Sequence, residues 1–531
     1  MELFYAGLTI PISLAVAAAV LLVLRSTLGN RRWKSERRHP RAGTVFNELL
    51  HLSKLHDYHA DLASRHGSFR MSHFTRNYVY LVDPASVEHI LRTNFSNYGK
   101  GSYHYELMGD LFGDGIFAVD GGKWRQQRKL ASFEFTTRNL RDYSSGVFSR
   151  KAIALALMIS EAADSERAVN IYIKMFLDGV VPLMIDVMQD LFMKSALDSI
   201  FKVGFGADLD TLSGSNTEGS SFGKAFDNSS EVILRRYFDV FWKIKRLLNI
   251  GIEAELKKHL KVMDKFVYEL IRRKTEQISA QQDASVTIRR EDILSRFLAQ
   301  KEQGEEMDMK YLRDIVLNLV IAGRDTTAGT LSWFLYMLCK HPDAQEKIAQ
   351  EVAVSIRADN SSTSITDFAP VLTEEALDKM QYLHAALTET LRLYPAVPMD
   401  GKVCFSDDTL PDGFDVREGD LVCYVPYSMG RMKRLWGEDA EEFRPERWLD
   451  DKGAFQPESP FKFSAFQAGP RVCLGKDFAY RQMKIFAAVL IHFFSFQLIS
   501  DADKEVRYRN AITLQMDQGL RVKAFRRASG T

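Results

Sequence analysis

Phe466-Gln-Ala-Gly469-Pro470-Arg471-Val-Cys473-Leu-Gly475 is a glycine-rich turn that leads into an apolar helix pattern running from Ala479 to Leu490. Its cysteine is one of four, with Cys339, Cys404 and Cys423, and they are widely spaced. With no C-x-x-C pair, neither a zinc site nor a disulfide framework is suggested. An unpaired cysteine is by default a small buried hydrophobe. Here, however, Phe466, Gly469, Arg471, Cys473 and Gly475 together fit F-x-x-G-x-R-x-C-x-G, a pattern that chance rarely assembles within so short a stretch.

Three further patterns lie upstream. A long helical run from about Asp308 to Lys340 sets Leu312, Ile315, Val316, Leu319 and Val320 on one face. It is interrupted by Ala322-Gly323-Arg324-Asp325-Thr326-Thr327, where the Thr326 hydroxyl is able to bond a carbonyl one turn back and loosen the helix. Glu389 and Arg392 lie three apart on one face of a helix ending near Pro395. Trp124 and Arg128, in Lys123-Trp-Arg-Gln-Gln-Arg128, are one helical turn apart. Taken singly, each has an ordinary structural explanation: a polar patch, a surface ion pair, a packed tryptophan beside a charge.

Together, and in this order, the four motifs resemble those of the cytochrome P-450 superfamily of haem-thiolate monooxygenases. The resemblance spans essentially the whole chain after its first apolar segment. It implies a mainly α-helical domain with small β-sheets. It makes Cys473 the axial ligand of a haem b iron, where a thiolate favours O–O cleavage. Phe466 would shield the sulfur, and Gly475 and the other glycines would let the backbone approach a flat macrocycle. Arg471, Trp124 and Arg128 would meet the haem propionates, and Gly323 would admit the planar group beside the central helix. Asp325 and Thr326 become the acid–threonine pair that delivers protons to bound oxygen. Glu389, Arg392 and Arg447, the last from Pro445-Glu446-Arg447-Trp448, become a buried ion-pair triad that holds the cysteine loop and takes no part in catalysis.

The composition is that of a globular protein: 531 residues, 46% hydrophobic and 26% charged. A formal net charge of +1 gives no reason to expect a nucleic acid or other polyanionic partner. Leu3 to Leu24 carry no charge, and about 22 residues at 1.5 Å each give roughly 33 Å, enough to cross a bilayer core. A secretory signal would want a basic start and a shorter apolar run. Instead Glu2 precedes the segment, and Arg25, Arg31, Arg32, Lys34, Arg37 and Arg38 follow it. Residues 1–24 are therefore expected to be an uncleaved single-pass anchor, with the rest cytosolic. By resemblance the membrane is that of the endoplasmic reticulum. Residues 25–44 read as a basic linker and 45–531 as the catalytic domain; the family's proline-rich hinge is reduced to Pro40. Strand-like runs lie at Tyr78–Val82 and between Gly401 and Val425, whereas 213–221, 275–285 and 360–366 read as polar loops.

Leu111-Phe-Gly-Asp-Gly-Ile-Phe-Ala-Val-Asp-Gly-Gly-Lys-Trp124 and Asn97-Tyr-Gly-Lys-Gly101 are similar to the corresponding segments of plant fatty acid ω-hydroxylases. That narrower resemblance implies an apolar tunnel for an acyl chain, with Phe112, Ile116, Phe117, Val397 and Met399 as candidate lining. Another lipid or a phenylpropanoid is the alternative substrate. Electrons must come from a partner, because the chain has no flavin or nicotinamide fingerprint. The family implies an NADPH-dependent cytochrome P-450 reductase, which Lys462, Lys476, Arg481, Lys484, Arg125 and Lys129 are candidates to meet. Two other classes compete. A reductase-independent haem-thiolate isomerase or dehydratase commonly lacks the acid–threonine pair, and a haem sensor or carrier would have no use for one.

Overall fold

A computed structural model describes residues 37–527, apart from residues 75, 136–137, 165–186, 284–291, 303–307, 357–363, 500–505 and 510. The segment expected to be a membrane anchor, 1–24, lies outside the described residues, as do the basic residues up to position 36. Among the described residues no helix is long and apolar enough to cross a membrane.

Strand β1 (Arg41–Thr44) runs into the short helix α1 (Val45–Leu50), and β2 (Phe69–Ser72) and β3 (Asn77–Leu81) follow. After β4 (Tyr98–Gly99) come α2 (Gly101–Phe112), α3 (Gly121–Phe135), α4 (Arg138–Asp164), α5 (Val187–Phe205), α6 (Thr217–Arg235), α7 (Trp242–Leu248) and α8 (Gly251–Asp283). The central helix has two α-helical parts, α9 (Met309–Val320) and α10 (Thr326–Lys340), joined by a π-helical turn over Ile321–Asp325. Then follow α11 (Gln381–Leu393), β5 (Asp400–Cys404), β6 (Leu421–Tyr424) and α12 (Lys476–Phe493). The mainly helical architecture with small sheets is as the motifs implied.

Six strands form one sheet in the order β1-β2-β3-β6-β5-β4. Tyr78 to Leu81 pair in parallel with Leu421 to Tyr424, so chain from both ends of the domain closes the sheet. Both strand-like runs are therefore strands. β1 lies within the segment read as a linker, and pairs with Arg70 to Ser72. The folded domain accordingly begins inside 25–44: backbone pairing at a sheet edge draws in residues whose basic side chains had suggested a tether. Thr275 to Asp283 likewise continue α8 instead of forming a loop, since Gln, Glu and Ala propagate a helix that is already nucleated. In the polar run at 213–221, Asn216 caps α6 through a bond from the Gly219 amide, 2.8 Å.

Asp308 caps the central helix by accepting from the Tyr311 amide at 2.6 Å. The periodicity suggested one apolar face, but Arg313, Asp314 and Asn318 are buried as well. A helix enclosed on all sides must find a partner for each polar side chain it carries.

Glu389 and Arg392 on α11 are wholly buried. Glu389 accepts from Arg392 Nε and Nη2, both at 2.7 Å, from Arg447 Nε at 2.8 Å, and from Trp448 Nε1 and the Arg444 amide, both at 2.9 Å. Arg392 also donates to the carbonyls of Gly430, Ala440 and Glu442. From this knot, Trp448 packs edge-on to Phe463, while Thr388 on α11 bonds the Tyr480 hydroxyl of α12 at 2.9 Å. The pair thus braces both ends of the cysteine loop. Removing Glu389 strands two guanidinium groups, so Glu389→Ala is expected to cost about 3–5 kcal/mol. Differential scanning calorimetry should show a markedly lower melting temperature, and the purified variant should carry little haem.

Candidate active site

The cysteine loop is shaped by backbone contacts. Cys473 N donates to Phe466 O at 2.8 Å, closing the loop on itself. Gly469 has φ +64°, and an added Cβ would lie 2.0 Å from the Leu91 carbonyl oxygen, so glycine is required there on both grounds. Gln467 is also left-handed, at φ +57°, an uncommon strain for a side-chain-bearing residue. Gly475 is the N-cap of α12. A Cβ at this position would stand 3.9 Å from Cys473 Sγ, an ordinary distance, so no protein atom demands glycine there.

Cys473 borders a cavity of about 270 Å³ whose other walls include Ala322, Gly323, Thr326, Phe466 and Gly475. Among the four cysteines it alone is classed as exposed. That exposure faces the cavity. Protein still surrounds the sulfur, and burial pushes its thiol up, against the Gly475 amide and the Arg128 and Lys476 cations that favour thiolate.

On the opposite wall the Thr326 hydroxyl donates to the Ala322 carbonyl at 2.6 Å. This bond lies across the π-helical turn, the local loosening expected from the sequence. Gly323 also faces the cavity, but its missing side chain has a second cause. A Cβ would approach Ile200 Cδ1 of α5 to 2.7 Å, so helix packing as well as any ligand keeps this position small.

Asp325 does not line the cavity. Its carboxylate is buried behind Thr326, 3.0 Å from Arg324 Nη1, with the Gln515 side-chain amide at 3.5 Å. Arg324 continues to Asp227 on α6, with Nη2 to Oδ2 at 3.0 Å. Neither Asp227 nor Gln515 was legible in the sequence, because each reaches this point from a distant element. Burial pushes the Asp325 carboxyl up to about 6, restrained by Arg324 and reinforced by the Asp227 carboxylate.

Along one edge stand Trp124, Arg128, Arg471 and Lys100. Arg471 lies over the Trp124 ring at 4.5 Å from its centroid. Its Nη2 is already paired with Asp120 at 2.6 Å and with the Val119 carbonyl at 3.0 Å, so it is less free for an anion than its motif implied. Its Nε remains buried without a partner, as do Ser464 Oγ and Gln467 Oε1 on the same cavity. The Arg128 side chain makes no hydrogen bond or ion pair among the described residues, and its charge acts on Cys473. Lys100, which the sequence reading passed over, pairs with Asp400 at 2.6 Å, and Asp400 in turn binds Lys402 at 2.6 Å.

Of the five apolar residues expected at a tunnel wall, Ile116, Phe117 and Val397 line the cavity. Phe112 is core, edge-on to Phe117 at 6.1 Å, and Met399 packs against the sheet. The basic surface also divides. Lys484 is buried and donates to the Leu377 carbonyl, Arg481 is paired through two bonds with Glu374, and Lys462 is tied to Glu458. Arg125, Lys129 and Lys476 are exposed, with no ion pair among the described residues.

Comparison with known proteins agrees with this geometry. The family model described as Cytochrome P450 matches residues 36–523. Cytochrome P450 704C1 of Pinus taeda is 50% identical over 523 residues, covering 96% of each chain. Cytochrome P450 704B1 of Arabidopsis thaliana is 43% identical, covering 94% of this chain and 96% of its own. Cytochrome P450 86B1 of Arabidopsis thaliana is 38% identical, covering 85% and 78%. The chain belongs to the cytochrome P450 family and is a monooxygenase. Membership brings haem iron and a reductase that supplies electrons.

The residues present fit that group. Cys473 is the one cysteine on the cavity wall, an unpaired guanidinium and an orphaned Nε stand at one edge for anionic substituents, and most of the remaining wall is apolar. Asp325 offers a test of the electrostatics. Its folded pKa is raised, so the stability it allows the fold is fully present below the ordinary carboxyl value and lost as pH rises through about 6. Asp325→Asn should therefore gain stability relative to the parent between about pH 4 and pH 6, read as a widening difference in melting temperature.

Proposed function

We propose that the protein hydroxylates the terminal carbon of a long-chain fatty acid. One atom of dioxygen enters the C–H bond, and the other leaves as water with two electrons and two protons. NADPH is the electron source, through a cytochrome P450 reductase. Haem supplies oxygen activation when bound.

The observation that carries this reading is the single cavity shared by Cys473 and Thr326, walled mainly by apolar side chains such as Ile116, Phe117, Ile315, Leu319 and Val397. An apolar chain loses water contact there. The substrate class is supported further by the similarity of segments 97–101 and 111–124 to plant ω-hydroxylases.

In this proposal Cys473 is the iron ligand. Support comes from its place on the cavity and from the Gly475 amide at the start of α12, which favours negative charge on sulfur. Phe466 and Gly475 flank the same group, and Trp124, Arg128 and Arg471 bind its carboxylates. Thr326 sets its hydroxyl on the cavity wall, resting on the Ala322 carbonyl, and would turn it inward to pass a proton, with Asp325 as the acid partner of that exchange. Burial suits Asp325 to that exchange, because a carboxyl raised to about 6 gives and takes protons near neutrality.

The catalytic domain is proposed to face the cytosol, tethered to the endoplasmic reticulum by residues 1–24. A second contact with lipid has support in exposed apolar side chains on α7 and α1. Leu247 is 83% exposed and Leu50 81%. Phe74 against Phe46, and the adjacent His73 against Phe238, bring these two regions to one side of the domain. Arg125, Lys129 and Lys476 are the proposed reductase contact.

Reconstituted enzyme, supplied with reductase and NADPH, should convert fatty acids to ω-hydroxy acids in preference to a sterol or a phenylpropanoid. Mass spectrometry showing oxidation of only the latter two would overturn the substrate. Reversing Arg125, Lys129 and Lys476 together should slow the first electron transfer and flatten its salt dependence. Stopped-flow reduction indistinguishable from the parent at every ionic strength would remove the docking assignment.

A further inference from the structure

Beyond the end of α2 at Phe112, the turns from Gly113 to Phe117 carry Ile116 and Phe117 into the cavity, with only short backbone bonds of their own, such as Gly115 N to Phe112 O at 2.9 Å, to fix them. Three buried side chains of α9 grip the backbone here. Arg313 donates to the carbonyls of Leu111 at 3.0 Å and Asp110 at 3.1 Å. Asp314 accepts from the Asp114 amide at 2.9 Å. Asn318, one turn on, donates to the Phe112 carbonyl at 3.0 Å and accepts from the Phe117 amide at 3.3 Å.

Two glycines make the grip possible. A Cβ at Gly113 would fall 2.0 Å from Asp314 Oδ2, and one at Gly115 would fall 2.0 Å from Asn318 Nδ2. The loop is thus pressed onto the central helix more closely than any other residue type allows. On its far side Arg471 holds the Val119 carbonyl at 3.0 Å, so the segment spans from the central helix to the cysteine loop.

We propose that Asp314 and Asn318 are positioning residues for regioselectivity: by locking the backbone of the loop, they make Ile116 and Phe117 a fixed wall rather than a yielding one. A fixed wall restricts an acyl chain to one depth, and small displacements at a reacting carbon change rates steeply. A loop bound only at its ends would let the chain fold and present internal C–H bonds, which are weaker. This inference rests on the proposed fatty acid substrate.

The test uses the full chain with reductase, NADPH and a saturated C16 acid, comparing the parent with Asn318→Ala, Gly115→Ala and Asp314→Ala. In each variant that retains the thiolate carbon monoxide band, the ratio of in-chain to terminal products should rise about tenfold. Asn318 itself borders the cavity, so its replacement also alters the wall directly; Gly115→Ala disturbs the contact from the loop side with Asn318 intact, and its product ratio decides the matter. Hydrogen exchange at the Phe117 amide should accelerate in parallel in Asn318→Ala. An unchanged product ratio in folded variants whose Phe117 amide exchanges faster would overturn the positioning role. Unchanged exchange would overturn the clamp itself. A parent that leaves the fatty acid untouched would refute the substrate while the exchange result still judges the clamp.

Discussion

Glu389 carries a carboxylate into a place with no exposed surface, and five donors converge on its two oxygens. Taking such a group out of water costs several kcal/mol, which only a complete set of partners offsets. The consequence is a geometric demand. α11, the Arg447–Trp448 turn and the segment from Gly430 to Arg444 must all arrive before the charge is satisfied. What they assemble is the platform under the cysteine loop, so the position of Cys473 follows from a charge well removed from the cavity.

The same logic governs the central helix. Buried on every side, it turns each polar residue into a connector: Arg313, Asp314 and Asn318 toward the loop before α3, and Arg324 toward α6. The π-helical turn is where this buried helix opens a face. Thr326 borders the cavity while its neighbour Asp325 points into the polar interior. Two adjacent residues on one backbone therefore sit in different electrostatic surroundings.

Much of this was legible in the sequence where chemistry and spacing are local. The cysteine loop, the interruption at 322–327 and the Glu389–Arg392 pair are short motifs whose residues meet within a turn or two. Partners drawn from distant elements were not legible. Asp227 and Gln515 reach Arg324 and Asp325 from α6 and from near the chain's end, and no periodicity marks them. Burial misled the reading of Lys484, whose sequence looks like any surface lysine, and of Phe112, which faces the core one residue before a glycine that reverses the chain. The strand at Arg41–Thr44 was hidden for another reason: edge pairing depends on the neighbour's backbone, and basic side chains say little about it.

The six-stranded sheet has a bearing on how this chain is made. β3 finds its parallel neighbour about 340 residues later in the chain, so its inner edge stays unpaired until nearly all of the domain has left the ribosome. During that interval Tyr78 to Leu81 form an open, mostly apolar template of the kind that recruits other chains. Anything that keeps nascent chains apart during that interval therefore protects this sheet.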